Sequence, residues 1–194
     1  MDAKYKNQRC VNVPTRRTFI TRIGGTIVAT AALPTVTFAA TTRLSNLTPR
    51  ELTLHHLHTG EKLNATYWHG GDYDPAALTS IDAVLRDFRT GDVHPIERRL
   101  LDILHTVKTE IGVDAPYHVI GGYRSPKTND MLRKRSAGVA KRSLHMEGRA
   151  IDVRIPGVNS AVLREAAADL RLGGVGYYRS SDFVHLDTGR PRVW

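Results

Sequence analysis

The segment Arg149–Ile155, RAIDVRI, places an aspartate in the middle of an alternating apolar pattern. This alternation predicts a β-strand whose Ile151, Val153 and Ile155 share one face in the core, with Asp152 on the opposite face. A carboxylate at the centre of a core strand is costly unless it pairs with a cation or binds a metal. We therefore expect a central strand whose aspartate meets partners from other parts of the chain.

Two histidines could be those partners. His145 lies on a predicted loop seven residues before Asp152, and Gly148 would let that loop fold back over the strand. In the last predicted strand, FVHLD, His185 and Asp187 share one face while the residues between them point into the core. Two imidazoles and one carboxylate suit zinc with an open fourth position, as in catalytic sites. Each residue alone is more often an ordinary surface or core side chain, so the spacing leaves both interpretations open.

Residues 1–40 have the pattern of an export signal. A basic segment containing the pair Arg16 and Arg17 precedes an apolar run that ends in small residues at Ala39 and Ala40. The arginine pair resembles the twin-arginine signal of bacteria. A membrane anchor is the alternative, but the apolar run is short for a span and Pro34 interrupts it. The sequence therefore predicts a signal at 1–40, one domain at 41–194, and no stable membrane span in the mature protein.

The net charge of the chain is concentrated in that segment. It carries six of the 28 lysines and arginines and one of the 19 acidic residues, which leaves 22 basic and 18 acidic side chains. The formal charge therefore falls from +9 to +4, so a nucleic-acid partner is not expected, whereas a large anionic partner remains compatible. The only cysteine, Cys10, also lies there, so stability must come from the core or a metal.

The order of predicted elements indicates an α+β fold. We expect a small mixed, mainly antiparallel sheet with helices packed to one side. The predicted elements are a hairpin at Glu51–Trp68, a helix from Pro75 to Gly91, a helix at about Pro95–Ile111, a strand at 117–121, a helix from Pro126 to about Arg135, the strand with Asp152, a helix from Asn159 to Gly173, and a final hairpin that turns through Arg179 to Asp182.

A wider resemblance supports this fold and the zinc site. Ser143, His145, Gly148, Ala150 and Asp152 fit S-x-H-x-x-G-x-A-x-D, the signature of the zinc peptidases that include the D-Ala-D-Ala dipeptidases and carboxypeptidases. Those enzymes share a superfamily with lysostaphin-type enzymes and the hedgehog domain. The chain more closely resembles murein endopeptidases of the MepK type, through the segments GGYRSP, GGVGYYRSSDFVHLDTG and RVW, the HLHTGEKL hairpin and the leader.

The resemblance implies roles for individual residues. His145, Asp152 and His185 would bind Zn²⁺, and Arg124 of GGYRS would stabilise negative charge on the attacked carbonyl. The dipeptidases have an acid three residues before the last histidine, which makes Asp182 the expected general base. Asp187 is its rival, either as the base or as a group that orients His185.

The implied activity is hydrolysis of peptide cross-links in peptidoglycan. The expected bonds are D-Ala to meso-diaminopimelate and, as a second substrate, the link between two diaminopimelates. Such an enzyme would act on stem peptides in the periplasm as a monomer, after export by the twin-arginine route. Two alternatives remain at this stage: a carboxypeptidase that trims stem peptides, and a non-catalytic module that binds the wall.

Overall fold

The computed structural model describes residues 48–136 and 138–194, so the predicted export signal at 1–40 lies outside the described residues. These described ranges contain four α-helices and eight β-strands. In chain order they are β1 Arg50–His56, β2 Lys62–His69, β3 Asp72–Tyr73, α1 Pro75–Val84, α2 Arg98–Ile111, β4 Tyr117–Gly121, α3 Pro126–Arg135, β5 Ala150–Arg154, α4 Ser160–Leu170, β6 Gly174–Tyr178, β7 Phe183–Asp187 and β8 Arg192–Val193.

All the strands belong to one mixed sheet, in the order β3-β2-β1-β4-β5-β7-β6-β8. Neighbouring strands are antiparallel except in the pairs β1 with β4 and β6 with β8, which are parallel. Strand β5, which carries Asp152, lies between β4 and β7 and is therefore central, as predicted. The α+β prediction is confirmed.

A single hydrophobic core joins one face of the sheet to the helices. Ile151 and Val153 of β5 are fully buried in it, together with apolar side chains of α1, α2 and α4. No residue of α3 belongs to this cluster, which fits the polar sequence of that helix. None of the helices in the described ranges is long and apolar enough to cross a membrane. The opposite face of β5 is consequently free to carry polar groups.

Two predicted helix boundaries differ from the structure. The helix that begins at Pro75 ends at Val84 rather than near Gly91. Its continuation is replaced by a turn because the buried carboxylate of Asp87 accepts hydrogen bonds from the backbone and hydroxyl of Ser125, at 2.9 and 2.7 Å. Helix α2 begins at Arg98, three residues after Pro95.

Candidate metal centre

Strand pairing brings the predicted carboxylate and one predicted histidine together. Asp152 of β5 and His185 of β7 are direct partners in the antiparallel pair. Their neighbours, the pair Ile151 with Leu186 and the pair Val153 with Val184, are buried in the core. Because side chains alternate along a strand, Asp152 and His185 must share the face opposite the core.

His145 reaches the same place from a short 3-10 helix, Leu144–Glu147. The helix ends at Gly148, whose φ of 64° is in the left-handed region. A Cβ at this glycine would collide with the carbonyl oxygen of Pro95, so glycine is required for both conformation and space. The predicted function of Gly148, to let the loop fold back over the strand, matches this arrangement.

The three side chains converge on one point. Nδ1 of His185 lies 2.9 Å from Oδ1 of Asp152 and 3.2 Å from Nε2 of His145. Nε2 of His145 lies 3.4 Å from the same Oδ1. Ligand atoms that share one tetrahedral zinc at about 2.0–2.2 Å are separated by about 3.3–3.5 Å, close to these distances. The three residues could therefore hold a metal ion, and they form such a group among the described residues.

The hydrogen bonds around His145 fix which of its ring nitrogens faces that point. Nδ1 of His145 lies 2.7 Å from the carbonyl oxygen of Gly122, which can only accept. Nδ1 therefore carries the proton, and the lone pair of Nε2 is directed toward Asp152 and His185. The backbone N–H of Arg124 also donates to the carbonyl of His145, at 3.1 Å, and holds the loop against the end of β4.

Asp187 fixes the orientation of His185 in the same way. Its Oδ2 lies 3.1 Å from Nε2 of His185, which must donate to it, so Nδ1 is the nitrogen that faces the metal position. The Asp187 side chain is fully buried. It also accepts from both terminal nitrogens of Arg192 and from the backbone N–H groups of Gly174 and Gly189. This is the hydrogen-bonded carboxylate that commonly orients a metal-binding histidine.

The pKa values of the group reflect this mutual stabilisation. Burial would lower the pKa of His185, but hydrogen bonds with Asp152 and Asp187 outweigh it and raise the pKa to about 9. Burial would raise the pKa of Asp152, but the neighbouring His145 and His185 hold it well below its usual range. A metal ion at this position would displace a proton from His185, because a histidine binds a metal in its neutral form.

The group lines a cavity of about 430 Å³, which Arg124 also lines. NH2 of Arg124 is 3.7 Å from Oδ2 of Asp152, and only 18% of the arginine side chain is exposed. Burial lowers the pKa of Arg124, and the Asp152 carboxylate opposes that effect. The structure thus places the predicted electrophilic arginine beside the three candidate ligands.

The structure does not bring Asp182 to this group. Asp182 ends the turn before β7 with a φ of 50°, and its side chain is 64% exposed. Its carboxylate lies 3.7 Å from Arg154, and the carboxylates that line the cavity among the described residues are those of Asp152 and Asp187. The geometry therefore favours Asp187 over Asp182 as the carboxylate that contacts His185, and the contact is one that orients the imidazole ring.

Residues that the sequence did not identify also line the cavity. The Trp194 ring lies 5.3 Å from that of His185, and the guanidinium of Arg192 lies 4.7 Å from the Trp194 ring centre. Trp194 can occupy this position because Gly176 beneath it has no side chain. The terminal RVW segment was a signal for these contacts, but only the strand pairing shows that it borders the metal position.

An α+β domain that brings two imidazoles, a carboxylate and a buried arginine to one cavity has the arrangement of a metallopeptidase. Comparison with known families agrees with this class. The chain belongs to the family described as peptidoglycan L,D-endopeptidase MepK, whose model matches residues 44–194. The resemblance inferred from the sequence motifs is confirmed.

Individual relatives match over most of their length. The chain is 43% identical over 172 residues to peptidoglycan L,D-endopeptidase MepK of Escherichia coli K12, covering 89% of this chain and 93% of that protein. The protein of the same name in Shigella flexneri gives the same values. A probable peptidoglycan L,D-endopeptidase MepK of Haemophilus influenzae is 40% identical over 173 residues, covering 89% of this chain and 91% of the relative.

Proposed function

We propose that this chain is a zinc-dependent L,D-endopeptidase that hydrolyses peptide cross-links in peptidoglycan. The observation that carries the proposal is the convergence of His145, Asp152 and His185, whose ligand atoms lie within 4.8 Å of one another in the wall of a cavity that Arg124 also lines. Family membership adds the reaction class to this geometry.

The donor set favours zinc among the common metals. Two imidazole nitrogens and one carboxylate oxygen are typical of catalytic zinc sites, whereas magnesium and calcium prefer oxygen ligands alone. When bound, zinc supplies Lewis acidity, which polarises a carbonyl and lowers the pKa of a coordinated water. The carbonyl of Gly122 and the carboxylate of Asp187 would keep the ligand nitrogens of His145 and His185 directed at the ion, because each accepts a hydrogen bond from the other ring nitrogen.

Arg124 would act on the peptide carbonyl. Its guanidinium is largely buried and lies 3.7 Å from Asp152, so it is beside the metal position with donors still available to a substrate oxygen. A fixed donor directed at developing negative charge typically lowers a barrier by about 3–4 kcal/mol. Arg124 would therefore bind the carbonyl oxygen more tightly as negative charge accumulates on it.

The bond we propose is the cross-link between two diaminopimelates. The relatives are named L,D-endopeptidases. The diaminopimelate–diaminopimelate link joins the carbonyl of an L centre to the amine of a D centre. The D-Ala–diaminopimelate link joins two D centres, so it becomes the second substrate, although it was the first expectation from the sequence.

The site of action follows from the substrate. Peptidoglycan stem peptides are the proposed partner, and an enzyme that cuts them acts in the periplasm of a Gram-negative cell. We propose export through the twin-arginine route because Arg16 and Arg17 precede the apolar run. A monomeric mature protein remains a prediction.

The test is digestion of purified dimeric muropeptides that carry each type of cross-link, with and without a chelator, followed by chromatography and mass spectrometry. We expect conversion of dimers to monomers, loss of the reaction with chelator, and recovery with added zinc. His185→Ala should lose both bound zinc, measured by elemental analysis, and turnover. Release of a terminal amino acid from intact dimers would instead indicate a carboxypeptidase, and wall binding without turnover would indicate a binding module.

A further inference from the structure

The open face of the sheet carries a row of basic side chains that the site described above does not use. Lys62 on β2, His55 on β1, His118 on β4 and Arg154 on β5 are successive register partners across four neighbouring strands. We call these four residues the basic row. With strands about 4.8 Å apart, the row extends about 14 Å.

The basic row lies on the same face as the metal centre. Arg154 follows Asp152 by two residues on β5, so both side chains point away from the core. The row therefore begins about 7 Å from the candidate metal ligand and leads away from it toward β2. It lies on the opposite side of β5 from β7, which supplies His185.

These side chains are accessible and close to one another. Lys62 is exposed, and 39% of the Arg154 side chain is exposed. The rings of His55 and His118 meet edge to face at 5.0 Å. Burial, followed by the nearby His55, Arg154 and Lys62, lowers the pKa of His118. The formal positive charges of the row are therefore those of Lys62 and Arg154, at its two ends. Among the described residues, the row has one ion pair with an acidic side chain, which joins Arg154 to the exposed Asp182 at 3.7 Å.

We infer that the basic row binds the carboxylates of a stem peptide on one side of the bond to be cleaved. The inference rests on the proposed function and specifies how the same site holds its substrate. Stem peptides carry free carboxylates on glutamate and diaminopimelate, which complement the row in charge. A length of about 14 Å fits about four residues of extended peptide. An endopeptidase needs a binding surface that extends beyond the metal centre, because the substrate peptide continues on both sides of the scissile bond.

The first measurement is the steady-state kinetics of Lys62→Gln/Arg154→Gln on a diaminopimelate-linked dimer. Exposed ion pairs contribute about 1.5- to 5-fold each, so KM should rise between about 2-fold and about 25-fold. The kcat should stay within about twofold because these contacts are equal in ground and transition states. Lys134→Gln/Arg135→Gln on α3 removes the same charge from exposed positions outside the row and should leave KM unchanged.

The second measurement identifies the contacting group on the substrate. Amidation of the stem-peptide carboxylates should raise the wild-type KM. It should leave the KM of the row variant nearly unchanged, because that variant already lacks the cationic side chains that contact those carboxylates. The difference between wild type and variant should also shrink at 0.5 M salt, at which the Debye length is below about 5 Å. Equal KM values for the row and control variants, or equal sensitivity of wild type and row variant to amidation, would overturn the inference.

A binding titration separates this inference from the proposed activity. An uncross-linked stem tetrapeptide should bind the zinc-loaded wild type and the control variant with the same Kd, and the row variant more weakly by the same factor as in KM. Absence of dimer cleavage by the wild type would refute the endopeptidase assignment, while the titration would still decide whether the row binds the peptide. Unchanged tetrapeptide binding by the row variant would refute the row alone.

Discussion

Asp187→Asn should weaken zinc binding by reversing the proton position on His185. The wild-type carboxylate accepts from Nε2 of His185 at 3.1 Å and from NH2 of Arg192 at 2.6 Å through Oδ2. Oδ1 accepts from Gly174, Gly189 and the other Arg192 nitrogen at 3.1, 2.8 and 3.0 Å. An asparagine has one acceptor oxygen, so its NH₂ must face N–H donors on one of these two sides.

The expected loss of zinc affinity follows from the orientation of the asparagine amide that loses fewer hydrogen bonds. Placing the amide oxygen at Oδ1 preserves three hydrogen bonds and turns the NH₂ toward His185 and Arg192. Nε2 of His185 must then accept, so the proton moves to Nδ1, the nitrogen that faces Asp152 and the metal position. Loss of such an orienting carboxylate typically lowers metal affinity by about 10- to 100-fold, equivalent to about 1.4–2.7 kcal/mol.

Competition with a chromophoric chelator at fixed pH measures the zinc affinity, and the ¹⁵N shifts of the metal-free variant at a pH where His185 is neutral identify its tautomer. Asp182→Asn is the matched control because it removes the same charge from an exposed position. A variant with wild-type zinc affinity and the proton still on Nε2 would refute the orienting role. Lost turnover at unchanged zinc affinity would instead favour Asp187 as the general base.

Three further predictions concern the surroundings of the site. Asp182→Asn should retain wild-type turnover of dimers, because its carboxylate is exposed beside Arg154; a large loss of kcat would restore it as the general base. Asp87→Asn should destabilise the fold by about 2 kcal/mol at pH 7, since burial raises the pKa of Asp87 but hydrogen bonds from Thr128 and Ser125 lower it from 3.8 to about 2. That stability is present above about pH 4 and is lost as the pH falls toward 2, so denaturant unfolding of variant and wild type should converge there, and a constant difference would contradict the reasoning. Gly148→Ala should cost about 2 kcal/mol or more and reduce zinc content, because the new Cβ meets the Pro95 carbonyl at a φ of 64°; unchanged thermal unfolding and zinc content would contradict this.

The sequence predicted those elements whose local pattern and tertiary role agree. The alternation in β5 and β7 specified both strands and the faces of Asp152 and His185, because a strand with a buried face tolerates only one register. The cap formed by Ser125 and Pro126 specified the start of α3. The end of α1 was not predictable, because Asp87 leaves the helical pattern to accept hydrogen bonds from a residue 38 positions away.

The candidate site was predictable to a similar extent. The three ligands were predicted from the motif and from strand alternation. The orientation of the two imidazole rings depends on the Gly122 carbonyl and on Arg192, which donates to Asp187. A backbone carbonyl has no sequence signature, so the Gly122 contact is visible only in the folded chain. The resemblance to the dipeptidases pointed to Asp182 as the base, but Asp182 ends a tight turn in the left-handed conformation, and its exposed carboxylate lies beside Arg154.

The same strand pairing also connects stability to chemistry. Asp152 and His185 are partners in the pair whose flanking residues, Ile151 with Leu186 and Val153 with Val184, fill the core. A slip of β5 by one residue would turn Ile151 and Val153 out of the core and bury the carboxylate of Asp152. Burying each aliphatic side chain contributes about 1.5–3 kcal/mol, so the slip is strongly disfavoured. The hydrophobic core therefore holds two of the three ligands in register before any metal binds, and the backbone of Gly122 and Arg124 holds the third, His145.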